Sequence, residues 1–145
     1  MVRFTVDVVI DRRIEDVFAF VAQGENASLW NSAVRAVRKT SEGLDGVGAE
    51  YQMSRQLPQG PVENTIRVIE YEQNKRYAIQ TISGPTPFTY RYDFEPRGNR
   101  TRISLLGEGK LGGVADLLSP IASVAVKRGV EENLAALKSL LESRA

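Results

Sequence analysis

One stretch near the end of the chain constrains the fold more than any other. From Val114 to Leu141 the sequence carries its only long helical period. Counting about 100° per residue from Pro120, Val126, Val130, Leu134, Leu137 and Leu141 fall on one stripe. Lys127, Arg128, Glu131, Lys138, Ser139 and Glu142 fall on the opposite side. Roughly 24 residues at about 1.5 Å each give a helix roughly 36 Å long. Earlier helical patterns are short, so only this helix can cover a sheet.

A second, smaller stripe runs beside the first: Ala122, Ala125, Gly129, Asn133 and Ala136. Small side chains leave room between the helix and what it covers. Glycine inside a helix costs about 1 kcal/mol relative to alanine, so Gly129 borders either an open volume or a closely packed strand. Ser119-Pro120 fits an N-cap and a first helical position. Yet Val114, Leu117, Leu118 and Ile121 already carry helical spacing. We therefore expect one helix from near Gly113, jointed at Gly112-Gly113 and kinked where Pro120 cannot donate to the Asp116 carbonyl.

The rest is mostly strand. Residues 3–10 alternate, with Phe4, Val6, Val8 and Ile10 against Arg3, Thr5, Asp7 and Val9. Asp11 then reads as the N-cap of a helix carrying Ile14, Val17, Phe18 and Val21, ended by Gln23-Gly24. Asn26 reads as the cap of a second short helix holding Leu29 and Trp30. Six strands follow, over 34–42, 49–57, 62–72, 75–83, 88–95 and 101–109. Phe88, Tyr90, Tyr92 and Phe94 alternate most cleanly, against Thr89, Arg91, Asp93 and Glu95. Short turns between strands imply antiparallel neighbours. The expected architecture is α+β: one domain over residues 1–145, in the order β-α-α-β6-α. A curved antiparallel sheet of about seven strands wraps the C-terminal helix, with the first strand in the same sheet.

Composition removes several chemistries. The chain has no cysteine and no histidine, which excludes disulfides, thiolate sites and the commonest general base and metal ligand. We expect no metal and no cofactor. The formal net charge is +1, which argues against nucleic acid as a partner. The N-terminus lacks a signal peptide's apolar run, and no segment is long enough to span a bilayer. A cytoplasmic protein without integral membrane association is the expectation, and a homodimer is left open.

The order of several short motifs adds a resemblance. Ile10-Asp11 precedes Val17-Phe18-Ala19-Phe20-Val21, and Trp30 is followed by Val34. Gly46-Val47-Gly48 enters a strand, and Val68-Ile69-Glu70-Tyr71-Glu72 precedes Lys75-Arg76-Tyr77. Phe88 to Pro96, Thr101-Arg102-Ile103 and the leucine-rich end from Leu134 to Glu142 complete the series. Over essentially the whole chain this resembles the START-like superfamily, also called SRPBCC or helix-grip. Within it, the sequence is most similar to the bacterial polyketide cyclase/dehydrase-type group. The resemblance implies a cavity for an apolar or amphipathic small molecule between sheet and helix. Some members cyclise or dehydrate polyketide chains, others carry lipids, hormones or quinones, and others bind proteins. No catalytic motif carries over residue by residue.

The apolar strand faces converge beneath the helix. They group Trp30, Tyr51, Met53, Ile66, Val68 and Tyr77 with Ile79, Phe88, Tyr90 and Tyr92, near Gly129 and Asn133 on the helix. For any one of them core packing is the plainer reading, Trp30 included. Four tyrosines on one face stand out, because a buried hydroxyl needs a partner. With a pKa near 10, tyrosine suits an acid better than a base. Arg55 shares parity with Tyr51 and Met53; we expect it in solvent, with a carboxylate at the cavity mouth as the alternative. The basic runs Arg35 to Lys39 and Arg97 to Arg102 lack interleaved aromatics and read as solvated faces.

Three functions follow. The first is binding of a hydrophobic, aromatic or polyketide-like small molecule. The second is a polyketide aromatase/cyclase or dehydratase using tyrosine hydroxyls and Asn133. The third is a protein-interaction module using the same groove.

Overall fold

The computed structural model describes residues 2–43, 45–58, 60–110 and 119–144. Strand β1 (Val2–Ile10) leads into helix α1 (Ile14–Val21) and a 3-10 helix (Gly24–Leu29). Then come β2 (Val34–Lys39), β3 (Glu50–Leu57), β4 (Gly60–Glu72), β5 (Arg76–Ser83), β6 (Phe88–Arg97), β7 (Arg100–Gly109) and helix α2 (Ser119–Glu142). The strands form one antiparallel sheet in the order β1-β7-β6-β5-β4-β3-β2. The first strand joins the far side of the meander through β7, with Val6 opposite Leu105 and Val8 opposite Ile103.

Alternation sorts the side chains. Val2, Phe4, Val6 and Ile10 turn inward and are buried, as do Ile103 and Leu105 on β7. Cross-strand ion pairs cover the convex face: Arg67–Glu50 at 2.6 Å, Arg76–Asp93 at 2.7 Å, Arg91–Glu70 at 2.5 Å and Arg102–Asp7 at 2.9 Å. Exposed pairs of this kind contribute little stability each; they mark the face that meets water. Register shifts bend the sheet at three places, one of them between Val34 and Ala36 of β2. In β4 the register slips between Val68 and Glu70, and beside it between Thr65 and Ile66. The slip at Val68 puts Tyr71 opposite Tyr77 on the inner face and sends Glu70 out to Arg91. An extra residue in one strand increases local twist.

Helix α2 lies along β1. Val130, Leu134, Leu137 and Leu141 are buried, whereas no residue from Ile121 to Gly129 is. The C-terminal half of α2 is therefore clamped, and in its N-terminal half Ala122 and Val126 make the partly buried contacts with the core. Arg12 Nη1 donates to the Leu141 carbonyl at 2.8 Å, and Lys138 Nζ donates to the Val9 carbonyl at 2.9 Å. The expected joint at Gly112-Gly113 and the helical start near Gly113 lie outside the described residues.

Three local expectations are corrected. The α1 N-cap is Arg13, whose carbonyl accepts from the amides of Asp16 and Val17; the Asp11 amide instead donates to Glu142 at 2.7 Å. The second helix is a 3-10 helix capped by Gln23, and Asn26 Nδ2 reaches back to the Phe20 carbonyl at 3.0 Å. Strand β2 ends at Lys39.

Candidate functional site

The inner face carries a chain of aromatic rings. Phe88 and Tyr90 have ring centres 4.9 Å apart, Tyr90 and Tyr92 6.5 Å, and Tyr92 and Tyr77 6.1 Å. Tyr77 leads on to Tyr71 at 6.3 Å, and Tyr71 to Phe18 of α1 at 5.4 Å. Trp30 meets Tyr92 edge-on at 6.4 Å. Register explains the alignment: Tyr92 stands between Tyr77 and Leu105, and Tyr90 between Ile79 and Gly107. Gly107 has no side chain because the Phe4 ring folds into that space; an added Cβ would collide with it.

Of the residues singled out in the sequence, Trp30, Tyr51, Met53, Ile66, Val68, Tyr77, Ile79, Phe88 and Tyr92 are buried on this face. Tyr90 is half-buried beside Phe88. Gly129 is half-buried on α2, and a Cβ built there meets nothing within 4 Å. Asn133 is otherwise engaged. Its Oδ1 accepts from the Ser32 amide at 3.1 Å and the Ser32 hydroxyl at 3.2 Å, and its Nδ2 donates to Asn31 at 3.1 Å. The amide ties α2 to the loop after the 3-10 helix. Tyr51 packs its ring against Gly24 and donates its hydroxyl to Asp45 at 2.9 Å.

Among the described residues, two polar atoms in this wall have no partner. Trp30 Nε1 and the Tyr77 hydroxyl are buried without a hydrogen bond, in residues only 7% and 2% exposed. Buried polar groups are nearly always satisfied, and each exception asks for an explanation. Burial pushes the phenols of Tyr77, Tyr90 and Tyr92 up; burial and then the Asp45 carboxylate do the same to Tyr51. At neutral pH these hydroxyls are donors.

Arg55 corrects another expectation. It is half-buried on the inner face of β3, not in solvent. Its Nε and Nη2 donate to Asn64 Oδ1 at 2.9 and 2.7 Å, and Nη2 donates to Thr86 Oγ1 at 2.7 Å. The guanidinium carbon sits 4.9 Å from the centre of the Phe88 ring. Asn64 is 1% exposed and held by its own donation to the Pro85 carbonyl at 2.8 Å. The sequence did signal this cluster. Arg55 shares parity with Tyr51 and Met53, and Asn64 with Ile66 and Val68, so both are polar residues at core positions.

Two clefts lie away from the middle of this aromatic face. One, of about 260 Å³, is lined by Val9, Asp11, Arg100, Lys138 and Glu142, and its charges pair with each other, Lys138 to Glu142 at 2.6 Å. The other, of about 230 Å³, opens beside Phe88, where β5 parts from β6 beyond Gln80 and Thr89. There Thr81 Oγ1 accepts the Phe88 amide at 3.2 Å in place of a ladder bond.

A curved sheet with an aromatic inner face and a C-terminal helix docked along β1 match a known family. Residues 1–142 match the family described as polyketide cyclase / dehydrase and lipid transport. The chain belongs to that family. Several solved structures share its fold. TTHA0849 from Thermus thermophilus superposes with a TM-score of 0.82 at 17% identity, over 98% of this chain and 99% of that one. The Zhui aromatase/cyclase from Streptomyces sp. R1128 gives 0.79 at 13% identity, over 98% and 94%. A START superfamily protein from Mycobacterium smegmatis gives 0.76 at 16%, over 97% of each chain. At such identities the likeness is one of fold. No curated protein sequence matches the chain. Among the described residues no helix is long and apolar enough to cross a membrane.

Proposed function

We propose that this chain binds an apolar, aromatic or polyketide-like small molecule in the groove between the inner sheet face and α2. The observation that carries this reading is the pair of unpartnered donors, Trp30 Nε1 and the Tyr77 hydroxyl, within an otherwise apolar wall. A pocket of aromatic surface with a few polar points is the usual small-molecule site. A ligand oxygen is the kind of group that would satisfy such a donor. Space beside Gly129 and the unburied N-terminal half of α2 support an opening on that side.

Binding is favoured over cyclisation by the state of the phenols. Buried tyrosines with raised pKa values donate to a carbonyl oxygen but do not remove a proton at neutral pH. Native mass spectrometry of freshly purified protein tests the reading. We expect a non-covalent adduct of a few hundred daltons (about the size of a drug-like ligand) that is lost on denaturation. A protein that carries no adduct, and whose Trp30 emission is unmoved by any apolar probe, would overturn it.

A further inference from the structure

Arg55 has unused capacity that the groove alone does not explain. The convex-face arginines Arg67, Arg76, Arg91 and Arg102 each meet a carboxylate within 2.9 Å. Arg55 meets none among the described residues, although it is the one that loses most of its water. Its partners are all neutral: Asn64 Oδ1, Thr86 Oγ1, and the carbonyls of Thr86 at 3.1 Å and Pro85 at 3.3 Å. All of them use Nε and Nη2, and Nη1 donates to no described group. A half-buried cation without a counter-charge is costly unless something else supplies one.

The surrounding loop is built to hold the guanidinium still. Thr86 adopts φ 49°, left-handed backbone that a β-branched residue rarely takes. This brings both its hydroxyl and its carbonyl onto Arg55. Gly84 has φ 102°, and a Cβ there would sit 2.7 Å from Asn64 Nδ2. Only glycine lets the loop close onto Asn64. Backbone strain that fixes one charged side chain points from geometry to function. Burial also draws the Arg55 pKa down from its ordinary value, while leaving the group charged.

We propose that Arg55 is the anchor for the carboxylate of an amphipathic ligand whose apolar body lies along Phe88, Tyr90 and Tyr92 toward Trp30. The proposal rests on the groove reading above and adds the chemistry of the ligand's head. The free Nη1 edge supplies the hydrogen bond, Nε and Nη2 stay with Asn64 and Thr86, and Phe88 holds the guanidinium from one side. A neutral lipid or ester leaves the cation uncompensated and is discriminated against.

The test uses 11-(dansylamino)undecanoic acid and its methyl ester, which differ only at the head. Trp30 is the sole tryptophan, so dansyl emission excited through tryptophan reports a probe inside the protein. We expect the acid to bind the parent protein at least about tenfold tighter than the ester, the range of a single charge-assisted hydrogen bond. In Arg55→Met the acid should lose about that factor and the ester should be unchanged; Arg55→Lys should recover part of it. Equal affinity for acid and ester in the parent protein overturns the anchor and leaves the groove standing. So does an Arg55→Met that weakens both probes alike. Absence of sensitised emission from either probe overturns the groove itself. The parent acid-to-ester ratio decides the matter even if Arg55→Met fails to fold.

Discussion

Replacing Tyr77 with phenylalanine tests the unpartnered donors in isolation. The Tyr77 ring lies 6.1 Å from Tyr92 and 6.3 Å from Tyr71, and phenylalanine keeps those contacts. Only the hydroxyl goes. Among the described residues that hydroxyl is buried without a hydrogen-bond partner, an arrangement that costs about 1–3 kcal/mol. Removing it leaves a small void that takes back part of the gain. The net expectation is that ligand-free Tyr77→Phe is more stable than the parent by about 0.5–2 kcal/mol. Tyr51→Phe is the matched control. It removes a hydrogen bond to the Asp45 carboxylate, so it should lose about 1–2 kcal/mol. Urea melts followed by far-UV circular dichroism, on protein stripped of small molecules, read both values. Opposite signs with unchanged slopes support the reasoning. A Tyr77→Phe protein destabilised by more than about 1 kcal/mol would refute it, because the hydroxyl would then have a partner.

Other perturbations have definite signs. Leu137 is 0% exposed on the clamped half of α2, so Leu137→Ala should cost about 2–5 kcal/mol in the same melts. Gly129→Ala meets open space and should gain up to about 1 kcal/mol from helix propensity; a clear loss would mean a strand touches it. Four tyrosines, Tyr51, Tyr77, Tyr90 and Tyr92, have folded-state pKa values above the ordinary phenol value. Stability from that source is fully present below the unfolded pKa near 10 and falls as pH climbs from there through the folded values. At about pH 11 the native protein should therefore show far less phenolate absorbance near 295 nm than the urea-unfolded chain, and equal absorbance would contradict the burial.

Much of the architecture was legible because alternation and turn chemistry agree. Phe88, Tyr90, Tyr92 and Phe94 declare one face of β6, and that face sets the register for β5 and β7. The bulge was harder to see. Val68 and Ile69 are adjacent apolar residues, which reads as a blurred alternation until pairing reveals the extra residue. The candidate site was half legible. Parity placed the aromatics together, but it does not say whether a polar tip finds a partner. Asn133 sits on the correct helical stripe, yet Asn31 and Ser32, distant in sequence, take its amide. Residue type alone points Arg55 outward, since arginine is ordinarily solvated. What holds it inside is a glycine and a threonine in left-handed conformations on a loop two strands further along the chain, and no local pattern announces that.

The seam between β1 and β7 bears on the order in which the chain assembles. Strands β2 to β7 are hairpins between sequence neighbours, whereas Val2 pairs with Gly109 across nearly the whole meander. Contacts between distant segments pay loop-closure entropy before they reward it. Both β1 and the helix that lies along it are therefore expected to dock after the hairpins. Val6→Ala and Leu134→Ala should then mainly speed unfolding, while Ile79→Val in the β5–β6 hairpin should slow refolding; stopped-flow chevrons distinguish the two. The groove closes only with that last docking, so a molecule filling it should show itself chiefly in the lifetime of the native state and hardly at all in the speed of reaching it.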